Sequence, residues 1–330
     1  MQHITISATF ILCVAFLCWL SPATAEAQTL TSRSATANSY LERGSQWFAK
    51  AEYERALADF DLAVASDPNF AYGYYNRAVT RYRLKDYEGA LADFDRAIQY
   101  NPRYVEAYVN RSGLRYLLGD LNGALSDSSQ AIELNPKHAV AWNNRGLLRD
   151  RKGDYTGALV DFDRAAKLDP RRAETYNNRG VARARLEDFD GAISDLSRAI
   201  KLKPDFPEAF NDRGVARQFK GDLDGALADY NQALKLNPGF ADAWFNRAIY
   251  WKANGDLERA EADFTQALEC KPQLADAYAQ RGLVRLLQGK ESEAEQDFAR
   301  CLMLDKNLKQ SLERLITEAK QQLANSRLRK

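Results

Sequence analysis

One residue constrains this chain more than any other. Proline returns at Pro68, Pro102, Pro136, Pro170, Pro204, Pro238 and Pro272, each 34 residues after the last. Self-similarity at that interval means a stack of local units, each contacting its neighbours, rather than one core closed by long-range pairing. Aligned on the prolines, residues 37–308 divide into eight units, and other residues recur in phase. One alanine series runs Ala56, Ala90, Ala124, Ala158, Ala192, Ala226, Ala260, Ala294; a second runs Ala63, Ala97, Ala131, Ala165, Ala199, Ala233, Ala267 and then Cys301. A small residue recurs earlier, at Gly44, Ala78, Ser112, Gly146, Gly180, Gly214, Ala248 and Gly282.

These series have one physical cause. Two antiparallel helices approach closely only where the side chains at their crossing are tiny and larger ones fill the flanks. The flanks are Tyr40, Tyr74, Tyr108, Trp142, Tyr176, Phe210, Trp244 and Tyr278 in the first helix of each unit. The second helix supplies Phe60, Phe94, Phe162, Leu196, Tyr230, Phe264 and Phe298. Pairs such as Gly119-Asp120, Gly153-Asp154, Gly221-Asp222 and Gly255-Asp256 separate the helices, glycine ending the first and aspartate capping the second. Proline then stops the second helix. The pattern resembles the tetratricopeptide repeat (TPR), eight times over. That resemblance implies an all-α superhelix of eight helix-turn-helix repeats (37–70, 71–104, 105–138, 139–172, 173–206, 207–240, 241–274, 275–308). A concave groove of first-helix side chains, binding peptides, comes with it.

Residues 309–330 read as a capping helix and basic tail. Leu308, Leu312, Leu315, Ala319 and Leu323 form an apolar stripe to about Ala324, followed by Arg327, Arg329 and Lys330. Two departures from the pattern stand out. Ser128 replaces the second-helix aromatic of the third repeat, making it a soft point worth about 3 kcal/mol unless neighbours fill the space. Lys306 replaces proline in the eighth, so that second helix is expected to run on toward the cap.

Ahead of the repeats, Ile4 to Leu20 is apolar and too short for a comfortable membrane span, and Ser21-Pro22-Ala23-Thr24-Ala25-Glu26-Ala27 follows. This predicts a signal peptide over 1–27, cleaved after Ala25 or Ala27, then a linker over 28–36. The repeats would be exported, periplasmic or secreted; an uncleaved anchor is the alternative. Cys13 and Cys18 fall in the leader without the small residue a lipoprotein site wants before them, and Cys270 and Cys301 are expected to be buried free thiols.

Every repeat carries arginine before its small residue, the set including Arg77, Arg111, Arg145, Arg179 and Arg213. Every repeat also carries aspartate before the second-helix aromatic or its replacement, including Asp93, Asp127, Asp161, Asp195 and Asp229. Six repeats add a second arginine one turn on. This is either an arginine-lined channel for polyanions or a ladder of ion pairs. Equal numbers, matched phase and 46 basic against 45 acidic residues favour the ladder and argue against nucleic acid.

Helical phase places Phe48, Tyr72, Tyr75, Tyr82 and Tyr116 on the groove wall in the amino-terminal repeats. Asn143, Asn177 and Asn211 follow, with Arg151 and Arg185 lower on the wall. A second series holds Asn76, Asn110, Asn144, Asn178, Asp212 and Asn246. Asparagine amides donate and accept, so such a ladder suits an extended peptide backbone; bonding between neighbouring helices is the alternative. Asn110-Arg111-Ser112 matches a glycosylation triplet, but as part of a helical repeat it is coincidental.

His138 is alone once the leader is removed, which excludes a histidine-rich metal site, and no phosphate loop, HExxH or GxSxG motif occurs. The sequence therefore predicts a non-catalytic interaction scaffold without cofactor or metal, binding a protein or peptide. The alternative is a cell-wall or polysaccharide assembly accessory that contacts glycan.

Overall fold

The computed structural model describes residues 32–328, all of whose regular elements are helical. The first helices of the repeats are α1 (Ser32–Ala49), α3 (Ala71–Arg83), α5 (Val105–Leu117), α7 (Ala139–Arg151), α9 (Ala173–Arg185), α11 (Pro207–Lys220), α13 (Ala241–Ala253) and α15 (Ala275–Leu287). The second helices are α2 (Tyr53–Ser66), α4 (Tyr87–Tyr100), α6 (Leu121–Leu134), α8 (Tyr155–Leu168), α10 (Phe189–Leu202), α12 (Leu223–Leu236), α14 (Leu257–Cys270) and α16 (Glu291–Leu304). A final helix, α17, spans Lys309–Leu328. The described residues fall into two compact units, 32–171 with α1–α8 and 172–328 with α9–α17. The leader, Arg329 and Lys330 lie outside the described residues.

The turn between paired helices shows its chemistry repeat by repeat. Gly119, Gly153, Gly221, Gly255 and Gly289 all sit at φ between 80° and 86°, the left-handed region that costs glycine nothing. Ala51, Lys85 and Glu187 hold the same place at φ 60–65° without that freedom. The side chains of Asp86, Asp120, Asp154, Asp188, Asp222 and Asp256 then accept a backbone N–H three residues on, capping the second helix.

Packing follows the small-residue series. A Cβ on Gly146 would lie 2.8 Å from the Phe162 ring, and one on Gly214 would lie 2.8 Å from Tyr230, so glycine there sets the helix spacing. The third repeat solves the same contact differently. Ser112 Oγ donates to the Ala124 carbonyl at 2.8 Å and lies 2.6 Å from Ser128 Oγ, which donates to it. Both serines are buried, so a closed hydroxyl pair stands where other repeats place a ring.

Several boundaries differ from the sequence reading. Helix α1 begins at Ser32, inside the stretch read as linker, because residues 32–36 hold neither proline nor glycine. Helix α16 ends at Leu304 despite the missing proline: Asp305 is extended (φ −143°) and its side chain accepts from the Asn307 N–H, starting a 3-10 turn over Lys306–Leu308. Helix α17 runs to Leu328, past Ala324, and packs on α15 through Leu312, Leu315, Ala319 and Leu323. Cys301 is buried, its thiol pushed up to about 11 chiefly by burial, whereas Cys270 at the end of α14 is exposed.

Within each unit the first helices pack on one another, α1 on α3 and α5 on α7 in one, α9 on α11, α11 on α13 and α13 on α15 in the other. Successive second helices make no comparable contact among the described residues. Each unit therefore curves with its first helices on the inner side.

Candidate functional site

The frame beneath the inner wall is ionic and regular. The Arg77 guanidinium donates from Nε and Nη2 to the two carboxylate oxygens of Asp93 at 2.8 and 2.7 Å. Arg111 does the same to Asp127 (2.8 and 2.6 Å), Arg145 to Asp161 (2.9 and 2.8 Å), Arg179 to Asp195 (2.8 and 2.5 Å) and Arg213 to Asp229 (2.9 and 2.7 Å). The arginine one turn later, Arg81, Arg115, Arg149, Arg183 or Arg217, reaches the same aspartate at 2.8–2.9 Å. Each buried carboxylate thus faces two guanidinium groups.

The first arginine has two further roles. It lies over its own first-helix aromatic, 4.8 Å from the ring centre for Arg145 on Trp142 and 5.3 Å for Arg77 on Tyr74. It also reaches back one repeat: Arg77 Nη1 donates to Asp61 at 2.8 Å and Arg111 Nη1 to Asp95 at 2.6 Å. One guanidinium therefore joins the two helices of its repeat and ties that repeat to the one before, which the flat, forked arginine head suits better than lysine. Arginines so engaged leave no channel of free cations for a polyanion.

On the inner wall of the 32–171 unit, Tyr72 is 41% exposed and its ring lies 5.1 Å from that of Tyr104. Tyr82 is half-buried against Tyr87 at 5.5 Å, and Phe48 against Tyr53 at 5.2 Å. Arg151 lies over Tyr116, 5.8 Å from the ring centre. Tyr75 requires a correction. It is 3% exposed, its ring 4.8 Å from Tyr104 and 6.0 Å from Phe94, and its hydroxyl accepts from Asn110 Nδ2 at 2.8 Å. Tyr75 is a core residue.

The asparagines are corrected in the same way: Asn143, Asn144, Asn177, Asn178 and Asn211 are all buried. First helices touch directly, so an amide facing the next repeat meets a helix instead of solvent. Asn110 bonds Tyr75, and Asn246 Nδ2 donates to Asn211 Oδ1 at 3.0 Å, in both cases across 35 residues. The series stitches first helices together. Two members depart from this: Asn76 donates to the Tyr72 carbonyl of its own helix at 2.8 Å, and Asn144, whose pairing position holds Val109, has no hydrogen-bond partner for either amide atom among the described residues. Asn110, buried and bonded, is closed to glycosylation in the fold.

The 172–328 unit carries a feature that the sequence reading passed over. The second residue of each first helix is acidic, Glu174, Glu208, Asp242 and Asp276, and Asp212 stands where other repeats have asparagine. Asp212 is 4% exposed and accepts from Asn211 Nδ2 at 3.1 Å. Burial raises its carboxyl well above the usual aspartate range, with Glu208 and Asp242 adding to the rise and Arg185, half-buried on α9, opposing it. The signal was available as a strict 34-residue spacing of acids at one helix position. Lys252, donating to Gln280 Oε1 at 2.8 Å, is lowered by burial on the same wall.

The tetratricopeptide repeat profile matches residues 71–104, 139–172, 173–206, 211–275 and 275–308. A prenyltransferase α-subunit repeat profile also matches, over 121–151; it runs from a second helix into the next first helix, the same periodicity taken half a repeat out of phase. No curated protein aligns significantly with the sequence. Among solved structures, a tetratricopeptide repeat protein from Parabacteroides merdae is similar at TM-score 0.61 and 19% identity, over 76% of this chain and 99% of that one. The Cut9–Hcn1 assembly of the APC/C matches at TM-score 0.66 and 17% identity, over 88% of this chain and 57% of that one. PilF from Pseudomonas aeruginosa matches at TM-score 0.60 and 16% identity, over 66% of this chain and all of that one. Identities this low speak to fold alone. The helix pairs in one register, the glycine and alanine contacts that close them and the repeat profiles together show that the chain belongs to the tetratricopeptide repeat family.

Proposed function

We propose that this protein is a non-catalytic, exported scaffold that holds a peptide or protein segment against its first-helix wall. Tetratricopeptide repeat proteins bind peptides or proteins. The observation that carries the reading here is the set of first-helix aromatics of the 32–171 unit, where Tyr72 is 41% exposed against Tyr104 and Tyr82 and Tyr116 are half-buried. Tyrosine offers a large contact area for little loss of side-chain freedom and keeps a polar tip for a backbone group. The buried acids of the frame are committed to arginines, which supports a structural role for them. Export rests on the apolar segment and small-residue site within 1–27; no described helix is long and apolar enough to cross a membrane.

Two measurements test this. Mass spectrometry of the protein from its native host should find a mature amino terminus at Glu26 or Gln28. Affinity capture from the same compartment should recover a defined protein whose binding falls about tenfold or more in a Tyr72→Ala/Tyr82→Ala variant of unchanged melting temperature. Capture unaffected by that variant, or binding to purified glycan with no protein partner, would replace the reading.

A further inference from the structure

Among the buried aspartates, Asp212 is set apart by its partners. Those of the frame each face guanidinium groups at 2.5–2.9 Å, whereas Asp212 receives one neutral amide donor, Asn211 Nδ2. A buried carboxylate without a hydrogen-bonded counter-ion is costly, and a carboxyl at this position replaces the asparagine that five other repeats supply. A second, independent observation lies on α9. Asn177 is 2% exposed, and its Oδ1 has no donor among the described residues. Residues 35 apart bond across adjacent first helices at Asn110–Tyr75 and Asn246–Asn211, and the same register sets Asn177 against Asp212. An acid short of a cation and an acceptor short of an N–H therefore share one junction of the wall, within electrostatic reach of Glu208 and Asp242.

We propose that Asp212, with Glu208 and Asp242, forms an anionic recess on the wall of the 172–328 unit that receives the lysine or arginine head of a bound basic peptide. Asn177 Oδ1 accepts a second N–H from the same segment. The acidic series Glu174, Glu208, Asp242 and Asp276 runs alongside and favours a segment with repeated positive charge. The inference rests on the reading of the first-helix wall as a peptide-binding surface and adds the chemistry of the peptide.

The cation also changes the protonation of the recess. The groups that face Asp212 are Glu208 on its own helix, Asp242 on α13, Arg185 on α9 and Tyr230 on α12. Burial raises the Asp212 carboxyl, and an arriving cation favours its carboxylate form, so binding shifts its titration back toward the ordinary aspartate range.

The test uses the full mature chain and three fluorescein-labelled peptides, serine and glycine apart from two central arginines, two lysines or two citrullines. Fluorescence anisotropy should show the arginine and lysine peptides binding about tenfold or more tighter than the citrulline peptide. Asp212→Asn, the residue neighbouring repeats hold there, should remove that margin; Asp224→Asn, an exposed change of equal charge on α12, should keep it. Calorimetry over a range of pH, in paired buffers of different ionisation heat, should register proton release on binding between the ordinary aspartate range and the raised one, and D212N should abolish it. Equal affinity for charged and citrulline peptides, or a margin that survives D212N, overturns the recess while leaving the wall a peptide-binding surface. Binding of none of the three overturns the recess, and the wall is then judged by the tyrosine variant and its captured partner.

Discussion

In the 32–171 unit the second residue of successive repeats is Asn38, Tyr72, Glu106 and Val140; in the 172–328 unit the same position, counted from the helix starts, holds Glu174, Glu208, Asp242 and Asp276. Beneath this difference the pairing of arginine with aspartate is the same. Arg145 grips Asp161 and Arg213 grips Asp229 with the same two bonds, and each arginine lies over an aromatic of its own helix. The frame repeats because each repeat must stack on an identical neighbour. The outward-facing positions of the wall are not bound by that requirement, so they are where two units of one fold can diverge, one toward aromatic contact and the other toward charge.

The comparison is broken most severely at the frame. Asp161→Ala and Asp229→Ala each remove the carboxylate that two partly buried arginines share, and each should cost about 3 kcal/mol in denaturant unfolding. Equal losses in the two units support a shared frame; a loss in one unit alone would mean that the ladders differ in role. Next in size is the third repeat. Ser112→Ala with Ser128→Phe recreates the alanine–phenylalanine contact of Ala78 and Phe94 next door, and should raise stability by about 2 kcal/mol by burying a ring. A destabilised double variant would show that the hydroxyl pair is the better fit.

The amide series gives a smaller effect with opposite expectations at two sites. Asn110→Ala removes the bond to Tyr75 and leaves its hydroxyl buried, costing about 1–2 kcal/mol. Asn144→Ala removes an amide without a bond and should fall within about 0.5 kcal/mol of the parent. Lys85→Gly, which relieves φ 65° at a turn where other repeats use glycine, should add about 1 kcal/mol, read as a shift in the midpoint with an unchanged slope.

Asp212 adds a pH dependence confined to one unit. Its carboxyl is raised in the fold, so the native state prefers the proton. The stability it contributes relative to D212N is present in full below the ordinary aspartate value of about 4 and is lost as pH rises through the raised value. Unfolding curves of the two proteins should therefore diverge toward alkaline pH, with D212N the more stable; parallel curves would mean that the carboxyl is ionised at little cost.

The helix pairs, their turns and the pairing of arginine with aspartate were all legible in the sequence, because each depends on contacts that recur every 34 residues. The wall was only partly legible. Tyr72 and Tyr75 are three residues apart and share a helix face, yet one is 41% exposed and the other 3%. A first helix meets its own second helix and the first helices on both sides, and helical phase cannot divide one face between a neighbour and open space. The asparagines failed for the same reason: Asn110 and Asn246 look along the stack and not out of it. The acidic series needed no structure to be seen, only comparison of the second residue of each repeat.

Hydrogen–deuterium exchange on the mature chain, with and without its captured partner, tests most directly whether an invariant frame presents a binding wall. Slowed exchange confined to the first helices, such as 71–83 and 207–220, with the second helices unchanged, is the result expected. Protection centred on the second helices, or none under saturating partner, would contradict it.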